Sequence, residues 1–188
     1  MGFHLRRLLE KDASLMLEWM HDENVVSSLG TDFRKKTLKD ALSFIRWSLE
    51  PECGEVHLAC VSDDDEYLGT VSLKHIDQKN KNAEYAICFR RCAHGTGAAS
   101  YATEQILRIA FEDQKLEKVY LYLYSINTRA ERFYQKQNFK FEGRQRKQAI
   151  YKGGFVDVIW YGIVKEDWSI NSSNNYSIPQ GQNKGEGL

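Results

Sequence analysis

Apolar positions along the 188-residue chain change period several times, and each change marks an element. "FHLRRL" alternates apolar and polar residues and predicts a first strand. "EKDASLMLEWMHDE" then sets Leu15, Met16, Trp19 and Met20 at helical spacing behind a capping Asp12, and "LKDALSFIRWSLE" puts Leu42, Ile45 and Leu49 on one stripe of a second helix. The period returns to two in "EVHLACVS", "YLGTVSLKHI" and "NAEYAICF", three consecutive strands, the first two joined by the acidic run Asp63 to Glu66. Such a run reads as a solvated hairpin turn in preference to a metal site. After Gly95 and Gly97, the positions Ala102, Ile106, Ile109 and Ala110 form a helical stripe reaching Phe111 and Glu112. "KVYLYLYS" is apolar on both faces, which predicts a strand buried inside a sheet. Thr128 and Glu131 have the spacing of a capping box for the helix "TRAERFYQKQ", with Ala130, Phe133 and Tyr134 on one face. "FKFEGRQRK" and "FVDVIWYGIV" close the pattern around a Gly153-Gly154 turn.

This order implies an α/β (α+β) layout, a central mixed sheet covered by helices. The length suits one core, placed at residues 1–168, and the polar stretch 169–188 is expected to be a flexible tail.

Charge and cysteines remove function classes. Lys and Arg (26) balance Asp and Glu (26), so no basic field points to nucleic acid or to an anionic membrane. Cys53, Cys60, Cys88 and Cys92 form no CxxC pair, and the scattered histidines complete no zinc pattern, so reduced thiols in a cytoplasmic protein and no metal are expected. No secretory leader, myristoylation signal or membrane span is expected from the sequence.

The stretch "RRCAHGTGAASYATEQ" carries the candidate chemistry. A glycine loop that opens into a helix leaves backbone N–H groups free at the positive end of the helix dipole, an anion cradle. Gly95 and Gly97 permit unusual φ angles, and Ala98 and Ala99 keep side chains out of the way. The loop alone fits a tight strand-to-helix connection equally well. A Walker loop is excluded because no Lys followed by Ser or Thr ends it. A dinucleotide fingerprint is disfavoured by Ser100 at the third glycine position and by the missing acid after "LYLYS".

The loop resembles the pyrophosphate loop of the GNAT superfamily of N-acetyltransferases, with His94, Gly97 and Ala99 at the motif positions. His94 departs from the usual Gln or Arg. The resemblance continues in "SINTRAERFYQKQNFKFEG", where Asn127, Tyr134 and Phe139 stand at the family's Asn, Tyr and Phe and Asn138 replaces the family's Gly. It runs from about Leu5 to Trp168. The segments "HIDQKNKNAEYAICF", "FEGRQRK" and "GGFVDVIWYGIVKEDW" look most like the branch holding ribosomal-protein alanine, spermidine and flagellin-sugar (pseudaminic acid pathway) aminosugar acetyltransferases, with a lean to the last.

The resemblance implies a mostly antiparallel sheet splayed between the strands at 81–89 and 118–124. It implies acetyl-CoA as co-substrate, its pyrophosphate on His94, Gly95, Thr96, Gly97, Ala98 and Ala99 and its pantetheine arm beside Cys88 and Phe89. An amine would then attack the thioester directly, without a metal. Tyr134 fits as the acid that protonates the leaving thiolate, or as a core tyrosine with a tied hydroxyl. Glu84 fits as a base for the amine, directly or through water, or as a solvated strand carboxylate. Asn127 would hold the pantetheine, or serve only as a turn residue. A thiol nucleophile at Cys88 or Cys92 ranks low, and Arg90 and Arg91 read as exposed strand-end arginines. A nucleotide-linked 4-aminosugar is the first acceptor; a protein N-terminus, a polyamine, and acetyl-CoA binding without turnover are the alternatives. Trp19, Asp32, Phe33 and Arg34 are the expected acceptor-groove residues, and a homodimer through edge strands is expected by analogy.

Overall fold

The computed structural model describes residues 2–27 and 29–168, so the expected tail from Ser169 lies outside the described residues. Strand β1 (Phe3–Arg7) leads into helices α1 (Ala13–His21), α2 (Glu23–Val26) and α3 (Leu38–Leu49). The meander β2 (Val56–Ser62), β3 (Tyr67–Asp77) and β4 (Asn82–Phe89) follows. Helix α4 (Ala98–Arg108), β5 (Lys118–Tyr124), α5 (Thr128–Lys136), β6 (Lys140–Tyr151) and β7 (Gly154–Val164) come next. The seven strands form one sheet in the order β1-β2-β3-β4-β5-β7-β6, antiparallel except where β4 meets β5.

The periodicity explains the two cores. Ala98, Ala102, Ile106, Ala110 and Phe111 are fully buried and pack with Val71, Leu73, Ala83, Tyr85, Val119 and Leu121 on one face of the sheet. On the other face Met16, Trp19 and Met20 of α1 and Ala41 and Ile45 of α3 cover Ala59, Val61 and Tyr67. Each large aliphatic side chain removed from water in this way contributes about 1.5–3 kcal/mol.

Several local expectations are corrected. Asp12 does not cap α1 with its side chain; it accepts the Leu9 N–H and is held by Arg6 at 2.7 and 2.8 Å. The capping residue of α5 is Asn127, not Thr128, because Asn127 Oδ1 accepts the Ala130 N–H at 3.2 Å, while Glu131 accepts from the Tyr161 hydroxyl. The β6–β7 turn is centred on Lys152 and Gly153, one residue earlier than expected, with φ of 47° and 81°. Ile109 is only half-buried, because the helix widens into a π turn over Ile109–Asp113. Strand β5 is buried on one face only: Val119, Leu121 and Leu123 are inside, Tyr120 and Tyr124 are half-buried and Tyr122 is exposed. The acidic hairpin is not merely solvated, since Asp65 pairs with Arg6 and Lys11.

Candidate active site

The sheet opens in the middle. β4 and β5 pair in parallel only at Asn82 with Lys118, Ala83 with Val119, and Glu84 with Tyr120. Beyond Glu84, β4 stays paired with β3 as far as Phe89, and β5 stays paired with β7 as far as Tyr124. Two strand edges therefore face each other across a wedge, each with backbone groups that lack a neighbouring strand.

The glycine loop stands at the end of β4. Gly95 and Gly97 adopt φ of 80° and 95°, and no atom lies within 4 Å of where a Cβ would sit on either. Conformation, not space, demands glycine here. Thr96 braces the loop from inside: its hydroxyl donates to Ala93 O at 2.8 Å and accepts the Ala98 N–H at 3.3 Å. Among the described residues the N–H groups of Gly95, Gly97, Ala99 and Ser100 have no acceptor, so Ser100 joins the free donors while Thr96 and Ala98 are already engaged. The eleven-residue α4 begins directly behind them. His94 sits beside the loop, its ring held below its usual pKa by burial and by nearby Arg129.

Tyr134 reaches the wedge from α5. Its ring meets Tyr85 of β4 edge-on at 6.0 Å and Phe139 at 5.9 Å. Asn138, at φ 66°, ends α5 in the left-handed region that asparagine tolerates, which turns the chain so that Phe139 packs inward. No hydrogen-bond partner of the Tyr134 hydroxyl is found among the described residues, and burial together with neighbouring Cys88 pushes its pKa well above the ordinary range. A pocket at this point is lined by Leu29, Gly30, Tyr122, Tyr124, Asn127 and Tyr134. The Cys88 thiol is pushed up by burial, so it is a poor nucleophile.

Glu84 is nearly buried at the last residue pair before the wedge, and both of its oxygens are engaged. Lys74 Nζ lies 2.6 Å from Oε1, and His75 Nδ1 lies 3.1 Å from Oε2. On the same face Tyr120, Tyr122 and Trp160 form an aromatic row, with ring centroids 6.0 and 5.2 Å from the indole, and Tyr124 meets Tyr151 at 6.4 Å. The sequence signal for this wall was the Tyr-x-Tyr-x-Tyr alternation in β5, which a two-sided apolar reading concealed.

Other expected residues take structural places. Trp19 is core, donating to the Tyr67 hydroxyl at 3.1 Å and packing on Phe33 at 5.1 Å. Asp32 and Arg34 pair with each other at 2.9 Å. Arg90 is not exposed: it is buried between Glu18 (2.7 Å) and Glu66 (2.5 Å), tying α1 to the β2–β3 turn. Arg91 and Cys92 are exposed. Among the described residues no group of three or more His, Cys, Asp or Glu side chains could hold a metal, and no helix is long and apolar enough to cross a membrane.

Comparison with known proteins agrees with this geometry. Residues 3–140 match the acetyltransferase (GNAT) domain family. The chain is 26% identical over 168 residues to the uncharacterized N-acetyltransferase p20 of Bacillus licheniformis, covering 88% of this chain and 94% of that one. It is 24% identical over 150 residues to the prophage-derived uncharacterized N-acetyltransferase YokL of Bacillus subtilis, covering 80% and 84%. Its fold matches the spermidine N-acetyltransferase of Vibrio cholerae, solved with CoA and spermine, with a TM-score of 0.80 at 20% identity over 89% of this chain and 98% of that one. With a family match over most of the chain on top of the splayed strands and the glycine loop, the chain belongs to the GNAT family and is an acetyl-CoA-dependent N-acetyltransferase.

Proposed function

We propose that this enzyme acetylates the primary amine of a nucleotide-linked aminosugar, and that the aromatic row of Tyr120, Tyr122 and Trp160 is the observation that carries the reading. Flat aromatic faces beside a cleft suit stacking of a base or the apolar face of a sugar. A polyamine needs free carboxylates instead. The described residues that line the pocket include no carboxylate, and Glu84 at the closed end of the wedge is neutralised by Lys74. The likeness to spermidine acetyltransferases concerns the fold alone.

In this reading the pyrophosphate of acetyl-CoA lies on the free N–H groups of Gly95, Gly97, Ala99 and Ser100, with the positive end of α4 behind them. The remaining loop residues His94, Thr96 and Ala98 shape the cradle, and the pantetheine arm runs along the open edge of β4 past Cys88 and Phe89. Asn127 fixes the start of α5 and so places Tyr134, whose unpartnered hydroxyl gives its proton to the leaving thiolate. Glu84 anchors the charged groups at the closed end of the wedge. With both oxygens occupied it acts on the amine's proton through a neighbour. The protein thereby supplies chiefly placement and proton transfer.

The test is thiol release from acetyl-CoA with three acceptors: a nucleoside-diphosphate-linked 4-aminosugar, spermidine, and a peptide bearing a ribosomal-protein N-terminus. The expected result is a kcat/KM for the aminosugar at least about tenfold above the others, a gap of about 1.4 kcal/mol in transition-state binding. A preference for spermidine or for the peptide would overturn the acceptor assignment.

A further inference from the structure

His75 occupies an unusual position. It sits at a break in the β3–β4 register, between Lys74 and Asp77, with a left-handed φ of 50° that is uncommon for any residue but glycine. Such strain persists only where the surroundings impose it. Here the backbone N–H of His75 donates to Glu55 Oε1 at 2.9 Å. The other oxygen of Glu55 meets His57 Nε2 at 3.0 Å, and His57 Nδ1 meets Ser72 Oγ at 2.8 Å. The rings of Phe44 and Trp47 cover His57, at 5.0 and 5.4 Å. A buried relay of Ser72, His57 and Glu55 thus holds the His75 backbone, while Glu84 holds the His75 ring.

We propose that His75 is the proton acceptor for the substrate amine, oriented by Glu84 and positioned through its backbone by the Ser72–His57–Glu55 relay. The inference rests on the acetyltransfer reading of the wedge. With Nδ1–H donated to Glu84 Oε2, the lone pair of Nε2 is free, and the side chain is 66% exposed. Lys74 Nζ lies 2.6 Å from Glu84 Oε1, so both carboxylate oxygens already have a donor. Glu84 is also the last residue paired before the wedge, so the imidazole is tethered at its closed end. Burial lowers the proton affinity of His57.

The chemistry balances. An arriving ammonium gives one proton to His75 Nε2, which releases it to solvent. The nitrogen lone pair then forms the C–N bond, and the C–S pair leaves on sulfur. The thiolate takes the Tyr134 proton, the adduct nitrogen gives its second proton to His75, and solvent carries that proton back to the phenolate.

Two acceptors separate catalysis from structure: an alkylamine, protonated at neutral pH, and an alkoxyamine, which is already neutral. His75→Gln should lower kcat for the alkylamine by about 10²-fold or more and much less for the alkoxyamine, with the acetyl-CoA dissociation constant unchanged. Glu55→Ala and His57→Gln should show the same acceptor dependence in milder form, since they loosen the ring without removing it. Equal losses for both acceptors, or none, would overturn the proposal. Slow hydrolysis of acetyl-CoA, measured without acceptor, supplies an independent readout: loss of hydrolysis in His75→Gln supports the base even if no amine is turned over, in which case only the acceptor reading fails. Hydrolysis and amine transfer both indifferent to His75→Gln refute it.

Discussion

Tyr134→Phe should make the protein less active and no less stable. The substitution removes one oxygen and keeps the ring that packs against Tyr85 and Phe139. That oxygen has no partner among the described residues, so its loss leaves no donor or acceptor stranded. A buried hydroxyl without a hydrogen bond costs about 1–3 kcal/mol. Tyr134 is half-buried beside a pocket, so the gain on removal lies between zero and about 1 kcal/mol, a rise in Tm of up to about 2–4 °C for a chain of this size. Stabilisation by acetyl-CoA should persist, about 2.7 kcal/mol at 100 times its Kd, because the cradle is untouched. Turnover should fall about 10²–10⁴-fold through loss of the acid. Thermal melts with and without acetyl-CoA, run beside thiol release, read all three quantities. A clear fall in Tm would mean that the hydroxyl is tied to something structural. Wild-type turnover would mean that the thiolate finds its proton elsewhere.

Gly97→Ala should cost about 1–3 kcal/mol in chemical denaturation, because φ of 95° strains any side chain, and should weaken acetyl-CoA binding by calorimetry as the cradle reshapes. Gly69→Ala would place a Cβ 2.5 Å from the Phe89 ring and 2.6 Å from Cys88 O, so β3 and β4 must shift; a loss of about 1–3 kcal/mol with a raised KM for acetyl-CoA is expected. Asn127→Ala removes the cap of α5 and should lower Tm by about 2–4 °C for about 1 kcal/mol. Burial favours neutral His57 and so holds its folded pKa below the unfolded value of about 6.5. The stability it contributes is complete above about pH 6.5 and declines as pH falls below that toward the folded value; His94 acts in the same direction, and His57→Gln should flatten the slope in a pH series of melts.

Strands and helices were legible wherever one face alone was apolar. β4 was located to the residue in "NAEYAICF", and the helical stripe located α4 but ran it on to Glu112, past its end at Arg108, where a π turn begins. β5 misled, since tyrosine counts as apolar in a pattern yet tolerates water at its hydroxyl end. Asp12, Glu131 and Arg90 were misassigned for one shared reason: their partners are set by tertiary contacts with Arg6, Tyr161 and Glu18, none of which is encoded in local spacing. The glycine loop and Tyr134 were singled out by family spacing, and the structure sets the loop at the end of β4 and Tyr134 against Tyr85 of β4. The relay from Ser72 to His75 could not, because it depends on the His57–Ser72 register and on a break in the ladder that no turn residue announces.

The short parallel seam between β4 and β5 also divides the molecule mechanically. Three residue pairs join a sheet of β1 to β4 to a second sheet of β5, β7 and β6. A seam so short lets each half open in its own cooperative unit. Amides on the facing edges, from Tyr85 to Phe89 and from Leu121 to Tyr124, should then exchange with deuterium faster than those at the centre of either half. A ligand spanning the wedge would slow that exchange on both edges together and so couple two units that the seam alone leaves nearly independent.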